Sequence, residues 1–319
     1  MKILLFLLPL LLLWQLHQRW PSGQLEVVVC DVGQGDAILL SLFSLQLLID
    51  TGPDDKVLKC LEENLPVWDR KLEGMLLTHY DEDHIGGVAA VLQNYQLGYV
   101  FLPLTEYKTS KVYLEMQQAL IKALTQGTQL KQPFLGQQMV FSQFGLTDQA
   151  KYSLACTFLT PEHLDEVEQQ FLEENQLWLW QKPEIELTIS TWDSGRSKIS
   201  NNNGSIALLC QFGAVKLLFT GDLESTRELA MVNSALLTRV DIQKVGHHGS
   251  KSSSSLPFMT MIRPETALIS CGQNNKFEHP HQETLDTLAE LNASIWRTDH
   301  AGSIKIISDG DHYWFANTR

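Results

Sequence analysis

Short apolar runs, broken by Gly, Asp, Asn or Pro, set the pattern of this chain after its first two dozen residues. Leu25–Cys30, Ala37–Ser41 and Leu45–Asp50 are three such runs, the first two flanking the turn Asp31-Val-Gly-Gln-Gly-Asp36. Their length and punctuation predict an antiparallel meander. Val57, Leu58 and Leu61 lie at helical spacing within Lys56–Asn64. Leu72–Leu77 and Gly98–Leu102 read as strands, Gly86–Asn94 and Lys108–Gln126 as helices. Farther on, Thr157–Leu159 reads as a strand and Glu162–Trp180 as a helix rich in acid and aromatics. Ser205–Cys210 and Val215–Phe219 predict a hairpin about Phe212-Gly213-Ala214, and Ala267–Ser270 a later strand. Neither an internal repeat nor a linker divides the pattern. One folded unit over residues 24–319, with strands and helices interleaved, is the expectation.

The first 23 residues differ. Ile3–Trp14 is an unbroken apolar run after Met1-Lys2, shorter than the roughly 20 residues that span a bilayer. It has no polar face, which excludes a buried amphipathic helix. With no Ala-x-Ala cleavage site following it, residues 1–23 read equally as a removed signal or a retained membrane anchor. Either places the folded part outside the cytoplasm or at a membrane surface. The five cysteines, Cys30, Cys60, Cys156, Cys210 and Cys271, include no closely spaced pair. They give no sign of a disulfide framework, and at the ends of apolar runs Cys30, Cys210 and Cys271 read as small buried hydrophobes. That usage points to the cytosol, against the N-terminus.

With 319 residues, 44% of them hydrophobic, the chain can bury a substantial core. The net charge of −13 weighs against a protein that grips nucleic acid by a broad basic face. It leaves room for an enzyme that holds phosphate through metal ions.

The chemistry concentrates where apolar runs end. Thr78-His79-Tyr80-Asp81-Glu82-Asp83-His84-Ile85-Gly86-Gly87 packs four potential metal ligands into six residues behind Gly74–Leu77. Burying so many polar groups costs several kcal/mol each unless something pairs with them, and a divalent metal pair does so. His79 and Asp81 face one way off an extended tail, with Asp83 and His84 on the next turn. The plain alternative is a polar loop with Asp83 capping a helix. Three further clusters follow apolar runs: Thr220-Gly221-Asp222, Val245-Gly246-His247-His248-Gly249-Ser250 and Asn275–His281. Asp222 alone reads as readily as a helix cap. Two adjacent histidines between glycines cannot both serve one strand face, so His247 or His248 is expected in a site. His279 before Pro280 is the weakest signal.

Taken in order, Asp31-Val-Gly-Gln-Gly-Asp36, Thr78–His84, Thr220–Asp222, Val245–Ser250 and His279-Pro280 resemble the metallo-β-lactamase-type domain of ComEC-type DNA-internalisation proteins. The resemblance spans roughly residues 24–310. It implies an α+β fold, a four-layer αββα sandwich, with two divalent metal ions, zinc or manganese, at one edge. His79 and Asp81 would bind one metal, Asp83, His84 and His247 the other, and Asp222 would bridge them. His248 is the alternative to His247 as ligand. Asp81 stands where the wider superfamily often has His, which shifts the donor set toward oxygen and suits manganese as well as zinc. The separate third His of the first metal has no counterpart before Asp222; Asn201–Ser205 occupies about that place.

The implied activity is a metal-dependent phosphodiesterase, a nuclease associated with DNA uptake, using a bridging hydroxide. Asp83 would serve at the catalytic centre, and His248 or His279 would protonate the leaving oxygen. Asn203, Ser250 and Lys251 would meet the DNA substrate. Ser252–Ser255 would offer donors to neighbouring phosphates or form a flexible polar loop. Two alternatives keep parts of this reading: a metallo-hydrolase of another phosphodiester or ester, and a non-catalytic uptake subunit docking a separate membrane channel. ComEC-type proteins carry a multi-helix channel, whereas this chain has one apolar segment, so transport by the chain alone is not expected.

Overall fold

In the computed structural model, which describes residues 23–103, 108–142, 153–160 and 201–316, two β-sheets lie face to face. The first sheet opens with the meander β1 (Leu25–Val29), β2 (Ile38–Leu42) and β3 (Leu45–Ile49). It continues in parallel through β4 (Lys71–Leu76), β5 (Gln96–Phe101) and β6 (Gln129–Lys131). The second is built from β7 (Gln138–Ser142), β8 (Ser153–Phe158), β9 (Leu208–Phe212) and β10 (Val215–Phe219), all antiparallel. The strands β11 (Ile242–Lys244), β12 (Thr266–Ile269) and β13 (Ser294–Arg297) extend it in parallel from β10. The chain then returns to the first sheet, where β14 (Ile304–Ser308) pairs with β1, and β15 (Tyr313–Phe315) with β14. The order is β15-β14-β1-β2-β3-β4-β5-β6 in one sheet and β13-β12-β11-β10-β9-β8-β7 in the other.

Three hydrophobic clusters define four layers. Val27, Val29, Ile38, Leu40 and Ile49 meet Leu208, Phe212, Leu217 and Phe219 between the sheets. The alternate residues Val28, Leu39 and Leu48 face outward onto α1 (Lys56–Asn64), α3 (Val88–Asn94) and α4 (Lys111–Thr125), through Val57, Leu61, Val91, Met116 and Leu120. On the far side, Leu218, Val245 and Ile269 pack with Met231 of α5 (Ser225–Val232), Phe258 and Ile262 of α6 (Leu256–Ile262), and Leu288 of α7 (Gln282–Glu290). The period-2 pattern of the strands thus sorts apolar side chains between two interfaces, and an αββα sandwich is the result.

Three expectations need comment. The helix expected over Gly86–Asn94 begins at Val88 as α3, and a separate short helix, α2 (Glu82–Ile85), precedes it. Gly86 and Gly87 sit too close to the carbonyls of Pro53 and Thr51 for any Cβ. The expectation of no disulfides is overturned: Cys30 is bonded to Cys60 and Cys156 to Cys210, leaving Cys271 as a buried free thiol. Linear spacing concealed both bonds. α1 brings Cys60 back over the end of β1, and the β8–β9 register sets Cys156 directly opposite Cys210. Residues 1–22 and the helix expected at Glu162–Trp180 lie outside the described residues. Among the described residues no helix is long and apolar enough to cross a membrane.

Candidate metal centre

Parallel strands deliver the polar clusters to one edge of the sandwich. β3 and β4 run the same way in one sheet, as do β10, β11 and β12 in the other, so their C-terminal extensions share an edge. β3 ends in Asp50, β4 in Thr78-His79, β10 in Thr220-Gly221-Asp222, β11 in the His247-His248 turn and β12 in Ser270. Asp36 arrives just before β2, which runs back from that edge. Gly221, at φ +51°, lies so close to Thr78 that a Cβ would stand 2.8 Å from the threonine Cβ. Here the two sheets' loops touch.

Asp222 is the centre of the cluster. Its Oδ1 lies 3.4 Å from His84 Nε2, and its Oδ2 lies 3.5 Å from His248 Nε2 and 3.8 Å from both His79 Nε2 and His247 Nε2. Asp81 Oδ2 is 3.4 Å from His79 Nε2, and Asp83 Oδ2 is 3.3 Å from His248 Nε2. The Nε2 atoms of His84 and His248 face each other at 3.3 Å. His79 Nε2 and Asp222 Oδ1 are buried without a hydrogen-bond partner. Orphaned nitrogen and carboxylate oxygens converging at this distance are the donor set a divalent cation takes, so the residues fit the metals the sequence implies.

The outer nitrogens are held. His84 Nδ1 lies 2.8 Å from Asp50 Oδ2, and Asp50 also accepts from Thr78 N at 2.8 Å and Thr78 Oγ1 at 2.7 Å. His248 Nδ1 lies 2.9 Å from the Ser270 carbonyl and His247 Nδ1 3.1 Å from Ser252 Oγ. His247 and His248 both adopt left-handed backbone, φ +48° and +53°. Two consecutive non-glycine residues in that region are strained, and such strain persists where surrounding structure enforces it. It lets both rings reach Asp222.

The family profile described as the metallo-beta-lactamase superfamily matches residues 31–273 of this chain. The chain belongs to the metallo-β-lactamase superfamily. ComE operon protein 3 of Bacillus subtilis is 28% identical over 307 residues, covering 89% of this chain and 33% of its own length. Recombination protein 2 of Haemophilus influenzae is 26% identical over 308 residues, covering 95% and 31%. The chain therefore spans about a third of the length of these relatives. Among solved structures, the metallo-beta-lactamase fold protein YhfI from Bacillus subtilis covers 92% of this chain at 12% identity, with a TM-score of 0.49.

Charge within the metallo-β-lactamase site is balanced by imidazolium in the metal-free chain. Burial opposes ionisation of Asp222, but His248 and His84 outweigh it and hold the carboxyl well below its usual range. Asp83 is lowered against burial by the same two rings, and Asp81 against burial by His79 and Lys108. Conversely, Asp222 and Asp50 lift His84 well above its usual value despite burial, and Asp222 and Asp36 lift His248 to about 9. His247 is lowered, chiefly by burial. Burial, then His248 and His247, push His279 down to about 4. The carboxylates demand positive charge, and without metal they take it from protons.

Of the residues singled out from sequence, His79, Asp81, Asp83, His84, Asp222, His247 and His248 come together. The structure does not force a choice between His247 and His248, since both reach Asp222. Asp222 caps no helix; α5 starts after Glu224, and α2 after Asp81 rather than Asp83. His279 lies beside the cluster, its ring centroid 5.6 Å from that of His247 and 6.2 Å from that of His248. Asn203 is engaged by Glu224 and Arg227, whereas its neighbour Asn201 accepts from Tyr80 N inside the metal loop. Ser250 is buried and its Oγ meets Ser252 Oγ at 3.0 Å; Lys251 is exposed, its backbone N–H donating to His281.

Ser253, Ser254 and Ser255 are tied into the fold rather than forming a loose polar loop. The backbone N–H groups of Ser254 and Ser255 bind the buried Glu228 carboxylate, and Ser253 Oγ binds the carbonyls of Gly246 and Ser250. Sequence reasoning missed Asp50, Lys108 and Ser270, and gave Asp36 no role although it closes the first of the motifs. Lys108 Nζ lies 3.0 Å from Asp81 Oδ1. Asp36 and Asp50 each follow or precede a strand as a single acid, a signal no different from a turn.

Proposed function

We propose that the chain is a metal-dependent phosphodiesterase acting on DNA, with two metal positions sharing Asp222. The observation that carries this reading is one buried carboxylate within 3.8 Å of four imidazole nitrogens, its own Oδ1 and the neighbouring His79 Nε2 both left without hydrogen bonds. The expected grouping changes: His248 Nε2 lies 3.3 Å from both His84 Nε2 and Asp83 Oδ2, so His248 rather than His247 would join Asp83 and His84 at the second metal, and His247 would join His79 and Asp81 at the first. Metals bound there supply acidified water and a Lewis acid for a phosphoryl oxygen.

The chain's own groups do the rest. Asp50 and the Ser270 carbonyl hold Nδ1–H on His84 and His248, so Nε2 of each faces inward as an acceptor. Lys108 brings a cation to the rim beside Asp81, matched to a phosphate oxygen. His279, its pKa pushed down to about 4, lines the same rim at neutral pH as a neutral hydrogen-bonding group rather than as a protonated general acid. DNA as the substrate rests on the sequence resemblance to DNA-internalisation proteins and on a relative named for recombination. The net charge of −13 favours a second reading, a smaller non-nucleic phosphodiester. Two disulfides favour folding of the domain in an oxidising compartment, in accord with an exported or membrane-anchored protein.

The test is degradation of single- and double-stranded DNA with Mn²⁺, Zn²⁺ or EDTA, using the wild type, Asp83→Ala and Asp222→Ala. Metal-dependent cleavage lost in both variants is expected. Undiminished cleavage in either variant sinks the two-metal assignment. Hydrolysis of bis-p-nitrophenyl phosphate without DNA cleavage keeps the chemistry and removes DNA.

A further inference from the structure

The Asp31–Asp36 turn plays no part in the chemistry above, yet its last residue is buried against the site. Asp36 is 2% exposed and forms an ion pair with Lys244, itself 1% exposed, at the end of β11. A lysine buried this deeply is rare unless paired. Asp36 Oδ1 has no hydrogen-bond partner and lies 3.3 Å from His248 Nδ1. The backbone of the same residue is tied to the metal loop: Asp36 N donates to Asp83 O, and its carbonyl accepts from Gly52 N. Gly35, at φ +134°, passes so close to Asp83 that a Cβ would stand 2.1 Å from the Asp83 carbonyl oxygen. Ser270 Oγ donates to Gly35 O at 2.6 Å, and the Ser270 carbonyl faces His248 Nδ1.

Asp36, His84, Asp222 and His248 each place a potential ligand atom within 4.8 Å of the others, which makes Asp36 look like a fourth ligand. The ring of His248 argues otherwise. Asp222, Asp83 and His84 meet it at Nε2, whereas Asp36 meets it at Nδ1, on the other side of the imidazole. The ammonium of Lys244 already occupies the other Asp36 oxygen, and a dication beside it would be repelled.

We infer that Asp36 and Lys244 form a positioning pair rather than part of the ligand set: Asp36 sets the orientation and donor strength of His248 from behind, and Lys244 fixes Asp36. The Ser270 carbonyl selects the Nδ1–H tautomer, and the Asp36 charge behind that N–H makes Nε2 a stronger donor. Carboxylates behind ligating histidines act this way, and their loss weakens metal affinity about 10- to 100-fold. Lys244 reaches across from the second sheet, so the pair also couples the His248 turn to the loop that braces Asp83.

This inference rests on the metal-site reading, and one titration separates the two. Mn²⁺ and Zn²⁺ binding to the full chain is measured by calorimetry for wild type, Asp36→Asn and the double variant Asp36→Asn/Lys244→Met. Asp36→Asn leaves the Lys244 ammonium buried and unpaired; the double variant removes both charges and isolates the effect on the site from the effect on folding. Weaker binding by about 10- to 100-fold at unchanged stoichiometry, in a double variant that melts like the wild type, is expected. A stoichiometry reduced by one metal makes Asp36 a ligand and overturns the inference. Wild-type affinity in the double variant makes the pair purely structural and also overturns it. No metal binding by the wild type removes the metal-site reading itself.

Discussion

Stripping the metals should make stability fall as pH rises from 6.5 to 9, the reverse of the trend expected for a site held together by carboxylates alone. His248 is fully buried and its pKa stands at about 9 against 6.5 for an ordinary histidine. A folded-state pKa raised in this way contributes stability that is complete below 6.5 and is lost as pH climbs through 9. The rise is worth on the order of 3 kcal/mol. His84, raised for the same reason, acts in the same direction.

Other groups leave most of this window clear; the buried Cys271 thiol, pushed up to about 12, adds a fall in the same direction only as pH nears 9. Asp222 and Asp83 are lowered, so their contribution is complete above about 4 and lost only in acid. His247 and His279 are lowered too; they lose stability as pH falls below 6.5 and are silent above it. Differential scanning calorimetry of EDTA-treated chain at pH 6.5, 7.5 and 9 should show Tm dropping, by roughly 2–4 °C for each kcal/mol lost. Metal-loaded chain should hold its Tm, because ligating imidazoles are already neutral and binding releases their protons. A Tm of the EDTA-treated chain that stays level or rises from pH 6.5 to 9 refutes the charge balance described for this site.

Replacing Cys30 and Cys60 together by serine reopens a loop of 30 residues and should cost about 3–4 kcal/mol, read as a lower urea midpoint. An unchanged midpoint would mean that the bond adds nothing to the fold. Glu228→Ala strands the buried N–H of Ser254 and the part-buried N–H of Ser255, and should cost about 1–3 kcal/mol, chiefly for Ser254, measured by the same melt; a loss under 1 kcal/mol counts against the arrangement. Asp50→Asn keeps an acceptor but removes the charge behind His84, so calorimetric Mn²⁺ affinity should drop about tenfold, and an unchanged affinity would assign Asp50 to folding alone.

Local pattern carried the elements and stopped short of their assembly. The meander over β1–β3 was legible because three apolar runs were cut by turn residues, and Lys56–Asn64 because its apolar positions followed helical spacing. The hairpin about Gly213 showed for the same reason. Nothing local says that the last strands, β14 and β15, return to the first sheet beside β1, or that β8 lies against β9. Those pairings decide which cysteines meet. Cys156 and Cys210 are 54 residues apart in sequence and opposite each other in space, so a reading by spacing was bound to see five separate thiols.

The site divides along the same line. His79, Asp81, Asp83 and His84 announce themselves because one loop carries them all, and the His247-His248 pair because no strand face accommodates both. Asp50 and Asp36 make equally close contacts with the cluster, yet each is a lone acid at a strand end, where a turn explains it just as well. Their roles come from what faces them: His84 Nδ1 for Asp50, His248 Nδ1 and Lys244 for Asp36. Lys244 is the sharper case. In sequence it follows Asp241-Ile242-Gln243 and precedes Val245-Gly246-His247, a largely polar stretch where a lysine suggests a solvent-facing strand position. Once the sheets are stacked, that position points at the opposite sheet's loop, and the charge is retained because Asp36 is there to meet it. Ligands cluster in sequence when one loop must aim several donors at one point. The groups that orient those ligands come from whichever strand ends the topology brings alongside, so they surface only when the fold is known.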